Sequence, residues 1–196
     1  MSFKNTRMYK KGQLGEQIVD SLILNKGKFI PYAPVLDDAH VFDRLVASKD
    51  KSRLMIVEIK TVDARDYYPD TGISIRHYEE YSEIQERYGI DIWILFVDSK
   101  NKEIYGNTLK NLRTYTEVMH KGKLLIYPMI KSNFTAVGKE IIYFPLKNMI
   151  TVTTLSDEQC EELKSLNNKG YEQGLEWKDG YNEWKREKEY DLKLDF

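Results

Sequence analysis

Val41-Phe42-Asp43-Arg44-Leu45-Val46 and, after a short polar turn, Leu54-Met55-Ile56-Val57-Glu58-Ile59-Lys60-Thr61 are the stretches that decide the fold. Each is an apolar run carrying one acid, and the second adds a lysine two residues after its acid. They read as two strands joined by a hairpin across Ala47 to Arg53. Side chains alternate along a strand, so Glu58 and Lys60 emerge on one face and Asp43 can lie beside them. Two carboxylates at the edge of a buried sheet are costly unless a cation or hydrogen bonds compensate them. Hard divalent cations with oxygen ligands, Mg2+ above all, are the usual solution. Ion pairing of Asp43 with Arg44, Arg53 or Lys60, and a solvated Lys60, are the plain alternatives.

Asp43, fourteen intervening residues, then Glu58-Ile59-Lys60 resembles the bipartite signature of the PD-(D/E)xK nuclease superfamily. Restriction endonucleases, Holliday-junction resolvases and RecB-type exonuclease domains belong to it. The order of elements carries the resemblance across residues 8 to 98: a helix with an acid, a strand with Asp, a strand with Glu-x-Lys, a helix, and an apolar strand. Phe42 stands where the signature's proline would be. The resemblance implies a restriction-endonuclease-like α-β-β-β-α-β core, an α/β fold whose mixed central sheet is flanked by helices, with further strands and helices C-terminal to it. It also implies that Asp43, Glu58 and the Ile59 carbonyl hold Mg2+ or Mn2+, that Glu16 supports the metal shell, and that Lys60 orients or helps deprotonate the attacking water. The implied reaction is endonucleolytic hydrolysis of DNA. A dimeric junction resolvase and a non-cleaving DNA-binding protein are the alternatives, so the resemblance leaves room for a homodimer.

Composition agrees with an ordinary soluble chain. Of 196 residues, 41% are apolar and 31% charged, enough for one domain with a real core. No run approaches the about eighteen apolar residues that span a bilayer, so no membrane association is expected. The N-terminal residues include basic side chains without an apolar segment behind them, unlike a secretory signal. Cys160 is the single cysteine, which excludes an internal disulfide and points to a reducing, cytoplasmic setting. The net charge of −1 hides an uneven distribution. Residues 110–147 hold seven basic and two acidic side chains, whereas residues 156–196 hold seven basic and twelve acidic ones. Lys121 and Lys123 are therefore candidate phosphate contacts, with a pair of solvated surfaces as the alternative.

Along the chain, Lys10 to Leu24 has an apolar stripe at helical spacing (Leu14, Ile18, Leu22), with Gly27 as its stop. Glu16 lies beside that stripe. A surface glutamate stabilised by the helix dipole is its alternative reading. Lys28 to Tyr32 predicts a short strand. Asp37, Asp38 and His40 fall in the next loop. Val62 to Gly72 predicts a loop leaving Lys60, with Arg65, Tyr67 and Tyr68 suited to sugar-phosphate or exposed bases, or to packing on the core. Ser74 caps a helix running to Tyr88 and stopped by Gly89. Arg76 and His77 in its first turn are candidate phosphate contacts. His77-x-x-x-Tyr81 matches the Gln-x-x-x-Tyr spacing of RecB-type domains, with His replacing Gln. Asp91 to Asp98 is nearly continuous apolar sequence, the mark of a strand covered on both faces. Beyond it, 102–105, 124–127, 141–144 and 149–152 predict strands, 107–116 a helix, and Ser156 the cap of another. The domain division expected is 1–155 for the nuclease-like body and 156–196 for a charged helical appendage, whose Trp177, Tyr181 and Trp184 recur at helical spacing.

Overall fold

The computed structural model describes residues 6–34, 42–133 and 139–167. The two deciding runs pair antiparallel, with Arg44 opposite Val57 and Val46 opposite Met55. They form β2 (Arg44–Ser48) and β3 (Leu54–Lys60). Before them come α1 (Arg7–Val19) and β1 (Phe29–Tyr32). After them come β4 (Asp70–Ser74), α2 (Ile75–Tyr88), β5 (Asp91–Asp98), β6 (Glu103–Thr108) and the short α3 (Leu109–Leu112). β7 (Thr116–His120), β8 (Lys123–Tyr127), β9 (Met129–Asn133), β10 (Lys139–Pro145), β11 (Ile150–Thr154) and α4 (Asp157–Ser165) complete the order.

The central sheet runs β1-β2-β3-β5-β6-β11. β3 and β5 are parallel, with Glu58 opposite Ile94 and Lys60 opposite Phe96. The neighbouring pairs are antiparallel, so the fold is mixed α/β with helices flanking a mixed sheet. Alternation along the strands divides the core in two. Val57, Ile59, Leu95 and Val97 face Ile18 and Val19 of α1 and Cys160 and Leu163 of α4. Ile56, Ile92, Ile94 and Phe96 face Tyr81 of α2 and Ile73, Ile142 and Phe144 of a second sheet, β4-β10-β9. β5 is thus covered on both faces, as its apolar run predicts.

Helix ends follow their local signals. Ser74 accepts from the His77 amide, and Gly89 closes α2 at φ 66°. Ser156 and Gln159 form a reciprocal capping box at α4. α1 gives way to a π-helical turn at Asp20–Leu24 before Gly27 takes φ 91°. Other expectations need correction. β2 begins at Arg44, leaving Asp43 in the bend ahead of it. The loop after Lys60 ends earlier than Gly72, because Asp70 to Ser74 pair with Pro145 to Ile141. The helix over 107–116 shrinks to Leu109–Leu112, and β7 and β9 are strands the sequence reading lacks. The helix capped by Ser156, assigned above to the appendage, buries Cys160 and Leu163 in the first core. Asp37, Asp38, His40 and the tryptophans Trp177 and Trp184 lie outside the described residues. Among the described residues no helix is long and apolar enough to cross a membrane.

Candidate active site

At the carboxyl end of β3 the period-two alternation puts Glu58 and Lys60 on the α2 side of the sheet. Their side chains form an ion pair. Glu58 is only 3% exposed, and its Oε2 is buried with no hydrogen-bond partner. Asp43, one residue beyond the Arg44–Val57 register pair, binds back onto β3: its Oδ2 accepts from the Ile59 amide at 2.7 Å. Burial pushes the Glu58 carboxyl up to about 7. Lys60 opposes that rise, Asp43 adds to it, and the Tyr81 hydroxyl on α2 helps the charged form. The causes are desolvation and a like charge nearby, the two that make a carboxylate retain its proton.

α1 supplies a third acid. A Cβ on Gly15 would meet Thr61 Oγ1 at 1.9 Å, so the helix lies against the end of β3 only because position 15 has no side chain. Glu16 is thereby set beside Asp43. Burial raises its pKa, Asp43 raises it further, and Arg44 lowers it. Arg44 joins the two elements. Its guanidinium donates to Glu16 Oε2 at 3.0 Å, to both Asp20 oxygens at 3.1 and 2.8 Å, and to the Asp43 carbonyl at 2.7 Å. The structure therefore brings Glu16, Asp43, Glu58 and Lys60 together, with Glu16 already held by an arginine.

Among the described residues no group of three or more His, Cys, Asp or Glu side chains is arranged to hold a metal ion. Asp43 and Glu58 nonetheless form an all-oxygen donor pair with one buried oxygen unsatisfied. Mg2+ is commonly held by one or two carboxylates, its remaining positions filled by water and substrate phosphates.

The other candidate residues lie in three places. Arg76 and His77 occupy the first turn of α2. His77 is one turn from Tyr81 on the same helix face, the two rings 6.0 Å apart, while Arg76 is exposed and 3.7 Å from Glu80. Arg65 is committed internally. It clasps both oxygens of the fully buried Asp70 at 2.5 Å and stacks on the Tyr143 ring at 3.7 Å. Tyr67, Lys121 and Lys123 are exposed, the lysines at the β7–β8 turn. Sequence reasoning missed the Arg44 clamp and the approach of Tyr81 to Glu58. The only local signal for the latter was the four-residue spacing from His77.

Searches against protein-family models and curated proteins give no match. Among solved structures, the chain is similar to Hjc, a Holliday junction resolvase from the archaeal hyperthermophile Archaeoglobus fulgidus. The match has 8% identity and a TM-score of 0.45, covering 72% of this chain and 92% of that one.

Proposed function

We propose that the protein is a divalent-metal-dependent endonuclease that hydrolyses DNA phosphodiester bonds at the Asp43, Glu58 and Lys60 cluster. One observation carries this reading: Glu58 is buried, lacks a partner on one oxygen and retains its proton up to about pH 7. Such a group is destabilising unless a ligand completes it, and perturbed acids of this kind concentrate at functional sites. Mg2+ or Mn2+ on Asp43 and Glu58, with support from Glu16 and the Ile59 carbonyl, would lower the pKa of a water and neutralise charge on the phosphate.

The chain's own groups do the rest. Ionised Glu58 and Asp43 would hold the cation, and Glu58 would give up its proton to do so. Lys60, held beside Glu58, orients the attacking water and stabilises negative charge as it builds at phosphorus. The Ile59 amide fixes Asp43, and Arg44 fixes the Asp43 backbone. Arg76, His77, Lys121 and Lys123 contact backbone phosphates.

The decisive assay incubates the protein with supercoiled plasmid, linear duplex, single strands and four-way junctions, each with Mg2+, Mn2+ or EDTA. Cleavage with either metal, absent in EDTA and absent in Asp43→Asn, is the expected outcome. Cleavage that persists in EDTA, or in Asp43→Asn with metal, overturns the proposal. The pattern across substrates separates a general endonuclease from a junction resolvase.

A further inference from the structure

The segment after Lys60 is built as a rigid mount for one aromatic ring. The Ala64 amide donates to Asp98 Oδ2 at 3.0 Å, tying the start of the segment to the carboxyl end of β5, beside the end of β3. Arg65 and Asp70 then close a six-residue turn. The Arg65 amide donates to the Asp70 carbonyl at 3.0 Å, the guanidinium clasps the Asp70 carboxylate, and the Tyr127 hydroxyl donates to the same carboxylate at 2.6 Å. Inside the turn each neighbour of Tyr67 is anchored. Asp66 pairs with Lys100, Tyr68 lies between Arg65 (4.4 Å) and Lys131 (4.5 Å), and the Pro69 carbonyl accepts from the Leu146 amide. The Tyr67 ring points outward at the tip, 75% exposed, with the Lys121 ammonium 5.9 Å from its ring centre.

A flat ring held out on a fixed loop loses little conformational entropy when something stacks on it. With a lysine at its edge it offers a π-face and a phosphate partner together, the combination by which proteins hold unpaired bases. Duplex DNA keeps its base faces stacked inside the helix and presents only edges and phosphates, so it cannot use the ring face.

We infer that Tyr67 is a stacking platform for an unpaired DNA base, with Lys121 taking the adjoining phosphate. This rests on the nuclease reading and narrows its substrate to DNA with an unpaired stretch.

Anisotropy titrations in EDTA, where cleavage is excluded, test it with a fluorescein-labelled oligothymidylate, an oligouridylate and a blunt duplex. Tyr67→Ala weakens oligothymidylate binding roughly tenfold or more, leaves duplex binding within about twofold, and keeps the salt dependence, because stacking contributes mainly without counterion release. Tyr67→Phe retains wild-type affinity. Lys121→Ala weakens both DNAs and lowers the salt slope by about one. Thermal melting of each variant shows that the fold is kept. Unchanged oligothymidylate affinity in Tyr67→Ala, or an equal loss on duplex, overturns the platform and leaves the nuclease reading standing, whereas tighter wild-type binding of oligouridylate than of oligothymidylate overturns the assignment to DNA in both readings. If wild type binds neither DNA, both readings fail.

Discussion

Glu58 and Asp98 are buried acids on adjacent parallel strands, and the fold treats them in opposite ways. Asp98 accepts from the amides of Ala64, Lys100 and Asn101, the Asn101 side chain and the Tyr105 hydroxyl, at 2.8–3.0 Å. Burial pushes its pKa up, but these donors more than offset that, and the carboxyl stays below its usual range. Glu58 has a lysine and a tyrosine hydroxyl, and one of its oxygens has no partner. A saturated acid staples loops, here 64 and 98–101, and has no capacity left for a ligand. An under-saturated acid of equal burial retains that capacity at a cost in stability.

The sharpest way to break this contrast is to remove each acid. Asp43→Ala and Glu58→Ala are expected to lose metal-dependent cleavage entirely while keeping a cooperative melt, and retained activity in either would remove the site from this position. Lys60→Ala comes next: metal and DNA binding persist while single-turnover cleavage falls by something like 10²–10⁴-fold. Lys60→Arg is also expected to be poor, since arginine is bulkier and does not give up its proton. An arginine variant cleaving like wild type would reduce Lys60 to a counter-charge.

Asp98→Ala should do the reverse of the carboxylate mutations at the site. It strands several buried donors and is expected to cost about 3 kcal/mol of stability in denaturant titration. A loss under about 1 kcal/mol would mean the Asp98 network is dispensable. For Glu58 the sign comes from its raised pKa. The folded state holds the proton between the unfolded value of 4.5 and about 7, so stability present at low pH is lost as pH rises through that window. The loss is on the order of 3 kcal/mol at most. Glu58→Gln in metal-free buffer should therefore melt above wild type at pH 8 and lose the difference near pH 4. Added Mg2+ should raise the wild-type melting temperature and leave the variant unmoved. The smallest effect belongs to the surface. Charge reversal at Lys121 and Lys123 lowers DNA affinity and its salt dependence without changing Mg2+ binding, and an unchanged affinity returns these lysines to a solvated edge.

Much of this was local enough to read from the chain. Glu58 and Lys60 share a face because two residues separate them on a strand. The apolar runs around them required burial, and the Ser74, Gly89 and Ser156 caps act on amides within a few residues. β4 was harder, because Thr71-Gly72-Ile73 is defined by a partner some seventy positions away. Arg65 shows a different limit, since its partner is only five residues on. Its type and place in the loop suggested a phosphate contact, but the fold supplies Asp70 as its partner.

By itself, then, the sequence determined that Asp43, Glu58 and Lys60 would meet, since alternation and a short hairpin leave those side chains few other places. Only the tertiary structure decided what surrounds them. Gly15 lets α1 reach Thr61, Arg44 takes Glu16 and Asp20, Tyr81 arrives from α2, and one Glu58 oxygen is left without a donor. Those are distances between elements far apart in the chain, and no residue's own propensity specifies them.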